Sequence, residues 1–113
     1  MELILLAVPD CPNVAVFEAR LGAVLAGRPG AVVRRLEVAD ELQAARAGMC
    51  GSPTLLIDGA DPFAVPDQVP GLSCRLYRDA AGQLTGVPSA EAVRRALEQA
   101  GAAWFRDQGP MCR

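Results

Sequence analysis

Leu3 to Val8 forms an unbroken apolar run that Pro9-Asp10 closes. A short continuous run of this kind predicts a central strand covered on both faces. From about Pro12 to Ala26, Phe17, Leu21, Val24 and Leu25 recur at helical spacing, which predicts an amphipathic helix. Pro12 suits the first helical position, where its missing N–H costs nothing, and Gly27-Arg28-Pro29-Gly30 ends the helix. Val32 to Val38 alternates apolar and charged residues through Arg34, Arg35 and Glu37, the pattern of a second strand near a sheet edge.

Asp40 is placed to cap a short helix, with Gln43 reaching back to it. Leu42, Ala45 and Met49 supply that helix with an apolar stripe. Gly51-Ser52-Pro53 leads straight into the apolar strand Thr54–Ile57, and Ser73 to Arg78 reads as a fourth strand followed by the turn Asp79-Ala80-Ala81-Gly82. Ser89 caps a last helix whose inner face carries Val93, Ala96, Leu97, Ala100 and Trp104, with Phe105 beside them as anchors. The order βαβαββα predicts one α/β domain over residues 1–113, with 101–113 as a C-terminal tail. Its sheet is expected to be mixed and four-stranded with helices on both faces; the first two strands are parallel and the last two antiparallel. Residues 58–72 form a long connection that reads as too polar for the core.

Composition narrows the chemistry. The chain of 113 residues is 51% hydrophobic, enough for one core. With 11 Lys+Arg against 13 Asp+Glu, its charge of -2 points away from nucleic acid and from anionic membrane surfaces. Histidine is absent, which excludes histidine bases, triads and zinc sites built on imidazole. No run is long enough to span a bilayer, and Met1-Glu2 does not begin a secretion signal, so a cytoplasmic location is expected. No cofactor and no metal is expected. Four cysteines in a reducing compartment are packed hydrophobes, metal ligands or redox thiols.

The element order, a cysteine between the first strand and first helix, and a Ser-Pro-Thr before the third strand together resemble the thioredoxin-like superfamily. The resemblance covers roughly residues 2–100. Its motifs are Cys11-Pro12-Asn13-Val14, aligned with Cys-x-x-Cys, and Ser52-Pro53-Thr54, aligned with the cis-proline loop. Val14 stands where a dithiol protein has its resolving cysteine, which makes this a monothiol variant. Short chains of this kind are also similar to small actinobacterial thioredoxin-like proteins sometimes labelled alkylmercury lyases. The resemblance implies a cis Pro53 facing the reactive cysteine. It also implies that Pro12, Asn13, Ser52, Pro53 and Thr54 form the substrate face, with the Ser52 backbone receiving extended chains.

Cys11 is then the candidate nucleophile, because a helix N-terminus favours an anion and a thiolate is the reactive form. Cys50, three residues before Pro53, is either a second catalytic thiol that resolves or pairs with Cys11, or a packed residue at a helix end. Asp10 either transfers a proton or closes the turn. Cys74 reads as a small buried hydrophobe at the pole remote from Cys11, with Cys112 nearer to it than to Cys11. Arg46 and Arg75 are solvated or ligands for a thiol-bearing substrate. The expected function is thiol–disulfide exchange through mixed disulfides at Cys11, with a low-molecular-weight thiol or a protein disulfide as partner. The alternatives are soft-metal or organomercurial chemistry on Cys11 and Cys50, with Asp10 as proton donor, and a non-catalytic binding module.

Overall fold

The computed structural model describes residues 1–28 and 30–102. Pro29, Trp104, Phe105 and Cys112, named above from the sequence, lie outside the described residues. The elements run β1 (Glu2–Ala7), α1 (Val14–Leu25), β2 (Val32–Glu37), α2 (Glu41–Ala47), β3 (Cys50–Ser52), β4 (Thr54–Ile57), β5 (Gly71–Cys74), β6 (Tyr77–Arg78), β7 (Leu84–Thr85) and α3 (Ala90–Ala102). The architecture is mixed α/β.

β1 is the centre of the main sheet. It pairs parallel with β2, Leu3 opposite Val33, and antiparallel with β4, Leu3 opposite Ile57. Its period-two alternation sends odd and even positions to different layers. Leu3, Leu5 and Ala7 pack with Phe17 and Leu21 of α1 and with Val93 and Leu97 of α3. Leu6 and partly buried Ile4 face the other way, toward Val38, Ala44 of α2 and Met49. Helices therefore cover both faces, and β1 is apolar from Leu3 to Ala7 because both of its faces are covered there. Full burial of a Leu or Phe side chain contributes about 1.5–3 kcal/mol, and Leu3, Leu5, Phe17, Leu55 and Leu97 are all fully enclosed.

Local signals set the helix ends. Asp40 accepts from the Gln43 N–H at 2.8 Å, while the Gln43 side chain accepts from the Ala39 N–H, one residue before the expected partner. Ser89 accepts from the Ala92 N–H at 3.1 Å. The expected stripe on α2 is displaced: Ala44 is its buried residue, whereas Leu42 is 60% exposed and Ala45 is exposed. A seven-residue helix lays down about two turns, and the turn around Ala44 is the one that meets Val38 and Met49.

The C-terminal half departs most from expectation. Among the described residues the sheet around β1 has three strands, in the order β2-β1-β4, rather than four. The anticipated strand Ser73–Arg78 is broken at Arg75-Leu76. Its first part, β5, pairs parallel with β3, and its second, β6, forms a small antiparallel ladder with β7. The break arises because Arg75 turns inward. Its guanidinium meets Asp61 in the 58–72 connection, so that connection supplies a buried residue instead of being wholly solvated.

Candidate functional site

The chain leaves β1 through Val8 and turns back on itself at Pro9-Asp10-Cys11-Pro12. Asp10 takes a left-handed backbone conformation, φ 61°, and is exposed. Asp tolerates that conformation better than most residues, so its observed role is in the turn. The Cys11 N–H donates to the Val8 carbonyl at 3.3 Å, and the Cys11 carbonyl accepts from the Val14 N–H at 3.4 Å. α1 begins at Val14 with Asn13 as N-cap, so Cys11 precedes the cap by two residues and Pro12 is not the first helical residue. A residue followed by proline is disfavoured in the helical region, which delays the helix past Cys11-Pro12.

Cys11 is a free thiol and 8% exposed. It packs in the layer that includes Val14, Phe17, Tyr77 and Val87. Asn13 lies against Gly86: a Cβ built at Gly86 would stand 2.4 Å from the Asn13 amide nitrogen. Only a glycine leaves room for the Asn13 side chain in its observed position.

The Ser52–Pro53 peptide bond is cis. Ser52 is buried, and its hydroxyl accepts from the Val8 N–H at 3.1 Å, which ties the proline loop to the end of β1 just before the Cys11 turn. Thr54 donates its hydroxyl to the Gly51 carbonyl at 2.6 Å. The Pro53 carbonyl accepts from the Tyr77 hydroxyl. Burial, the dominant cause, pushes the Tyr77 phenol well above its ordinary value; Arg75 opposes that shift, while Asp61 and, last, Cys11 add to it. Tyr77 thus packs in the same core layer as Cys11 and has the cis-proline carbonyl on its hydroxyl.

Behind Tyr77 sits an arrangement absent from the sequence-based expectations. Arg75 and Asp61 are sealed from solvent and ion-paired at 2.6 Å. The guanidinium also donates to the Thr54 hydroxyl at 3.1 Å and the Phe63 carbonyl at 2.7 Å. It lies over the Tyr77 ring, 4.8 Å from the centroid, and Phe17 and Phe63 meet that ring edge-on. The buried Arg75 Nε has no hydrogen-bond partner among the described residues. Arg75 is therefore neither solvated nor displayed to a substrate. Arg46, by contrast, is exposed.

Cys50, the candidate second thiol, is not bonded to Cys11. Cys50 is buried and disulfide-bonded, while Cys11 and Cys74 are free. The structure accordingly does not join Cys11 to Cys50, and Cys50 is not a thiol in this state. Cys74 is exposed rather than buried, and it lies opposite Ser52 in the β3–β5 ladder rather than at the remote pole. Burial still alternates from Cys74 to Arg78, but Arg75 and Tyr77 take the inner face, which leaves Cys74 outside together with Leu76. Cys50 and Cys74 share the lining of a cavity of about 470 Å³ with Glu41 and Val69. A second cavity of about 470 Å³ lies beside Tyr77, lined in part by Phe63, Leu84 and Pro88.

Among the described residues no group of three or more His, Cys, Asp or Glu is placed to hold a metal ion, and no helix is long and apolar enough to cross a membrane. Comparison with protein-family models, with curated proteins and with solved structures finds no match.

Proposed function

We propose that this chain is a thioredoxin-like monothiol protein whose Cys11 exchanges with disulfides. The observation that carries the reading is the juxtaposition built around Tyr77. A free cysteine on the turn into α1 and a cis Ser52–Pro53 bond on the strand beside it are held to one end of β1. On this reading Gly71–Arg78 is the fourth strand of a thioredoxin-like sheet, and its first half has turned aside to pair with β3.

The exchange balances without an added oxidant. The Cys11 thiolate attacks one sulfur of a disulfide R–S–S–R, the Cys11–S–S–R bond forms, and R–S⁻ leaves with the electron pair of the broken bond. A second thiolate R′–S⁻ attacks the R sulfur of the mixed disulfide, R′–S–S–R forms, and the Cys11 thiolate leaves with the electron pair of the broken bond, which ends the cycle. Val14 offers no thiol for that step, and the Cys50 sulfur is already bonded. The resolving thiol is therefore an external one or that of Cys74, the other free cysteine among the described residues. Pro12 and Asn13 follow Cys11 directly, and the Pro53 loop is tied through Ser52 to Val8 at the end of β1.

The test is incubation of the folded protein with bis(2-hydroxyethyl) disulfide, with mass mapping of each cysteine and turnover measured with an added thiol. Adduct at Cys11 and loss of turnover in Cys11→Ser are expected. Adduct at Cys74 alone, with turnover retained in Cys11→Ser, overturns the reading.

A further inference from the structure

An extended peptide binds beside a strand through unpaired backbone N–H and C=O groups on an open edge. The edge next to the cis-proline is not open. β5 runs along β3, with Cys50 opposite Gly71 and Ser52 opposite Cys74. The Ser52 carbonyl accepts from the Arg75 N–H at 2.9 Å, and the Met49 carbonyl accepts from the Gly71 N–H at 3.0 Å. On its other side the Ser52 hydroxyl is engaged by the Val8 N–H.

β5 is also fastened. Arg75, at its end, is held through its guanidinium by Asp61, Thr54 and the Phe63 carbonyl, all in the interior. Its backbone lies so close to Gly51 that a Cβ there would sit 2.9 Å from the Arg75 Cβ. Peeling β5 away to admit a peptide would break both the ladder and a buried ion pair.

We infer that β5, pinned through Arg75 and Asp61, closes the cis-proline edge and restricts Cys11 to low-molecular-weight disulfides and thiols, excluding extended polypeptides. This rests on the Cys11 reading above and selects between its two substrate classes. A small disulfide needs only to reach the sulfur, whereas a polypeptide segment around a cystine gains no backbone pairing that would offset the cost of ordering it.

The experiment compares three probes on the intact protein by the rate of mass-mapped adduct formation at Cys11. They are bis(2-hydroxyethyl) disulfide, a nine-residue Val/Thr-rich peptide whose central cysteine carries the same hydroxyethyl disulfide, and that peptide with N-methylated backbone amides flanking the cysteine. The small probe is expected to react at least about 10-fold faster than the peptide, a ratio that corresponds to about 1.4 kcal/mol of activation free energy. N-methylation is expected to leave the peptide rate unchanged, because no edge reads its amides. A peptide that reacts as fast as the small probe, or that slows on N-methylation, overturns the closed edge while leaving Cys11 exchange intact. If the small probe itself leaves Cys11 unmodified, the thiol reading fails and this inference falls with it. Hydrogen exchange supplies a readout independent of reactivity: the Arg75 amide is expected to be protected, and free exchange there overturns the proposal.

Discussion

The Arg75 guanidinium meets the Asp61 carboxylate at 2.6 Å across a sequence separation of 14, with both side chains out of solvent. The pair joins the 58–72 connection to the end of β5 and braces the Tyr77 ring. Its charges are compensated by each other, by Thr54 and by a backbone carbonyl, so its integrity depends on both members being present.

Removing one partner leaves the other charge buried and uncompensated. Arg75→Ala and Asp61→Ala are each expected to destabilise the fold by about 3–5 kcal/mol. The double variant is expected to cost clearly less than the sum, because no orphan charge remains. Urea unfolding of the two single variants and the double variant measures this; additive losses would mean that the two side chains do not act as a pair.

This pair also shows where sequence reading stops. β1, α1 and α3 were legible because each has a local period and a local stop signal, and the Ser89 and Asp40 caps follow from residues three apart. Asp61 sits among Pro, Asp and Gly and reads as solvated; Arg75 sits between Cys74 and Leu76 in what looks like a continuous strand. Nothing local marks two charges that find each other across a long connection. The same pair explains Cys74: alternation across Arg75 does place it on one face with Leu76, but Arg75 and Tyr77 occupy the buried face, so Cys74 and Leu76 are exposed. The Cys11 turn and the Ser52-Pro53 loop carry short local motifs, and both lie at the end of β1 where the β1–β4 register sets Leu6 opposite Thr54.

Tyr77 predicts an alkaline dependence of stability. Its phenol titrates above the ordinary value of 10.0 when folded, chiefly through burial. As pH passes 10 the unfolded chain loses this proton while the native protein keeps it, so the unfolded state binds fewer protons and stability falls. The contribution is complete below pH 10 and is lost above it, at a slope approaching about 1.4 kcal/mol per pH unit. Tyr77 is the chain's single tyrosine, so phenolate absorbance reports it directly. A native midpoint above that in urea is expected, and Tyr77→Phe should flatten the unfolding slope between pH 10 and 11 relative to wild type.

Gly51 has φ 97°, and an added Cβ would meet the Arg75 Cβ at 2.9 Å and the Ser73 carbonyl oxygen at 3.1 Å. Neither neighbour is the free end of a flexible side chain. Gly51→Ala therefore combines left-handed backbone strain with a collision in the β3–β5 ladder, and a loss of about 2–4 kcal/mol is expected. Thermal unfolding measures the loss. Faster hydrogen exchange at the Arg75 amide would place the damage in this ladder, whereas unchanged exchange there would assign it elsewhere.

Gly86 offers a gentler perturbation beside Cys11. An alanine Cβ would stand 2.4 Å from the Asn13 amide nitrogen and 2.9 Å from its Cγ. Asn13 makes no side-chain capping bond to α1, so its amide can rotate away at a cost of about 0.5–1.5 kcal/mol. Gly86→Ala should therefore destabilise by about that amount in the wild-type background. In an Asn13→Ala background the obstructing amide is gone, and the same substitution should become nearly neutral. The coupling energy in this double-mutant cycle is expected to exceed about 0.5 kcal/mol. Strict additivity would show that the cost of alanine at position 86 arises from the backbone rather than from Asn13. Because Asn13 is two residues from Cys11, the cycle can be read a second time as the rate of Cys11 alkylation. Coupling in stability accompanied by coupling in rate would identify the Asn13 side chain as part of the opening to the thiol; coupling in stability alone would confine it to packing.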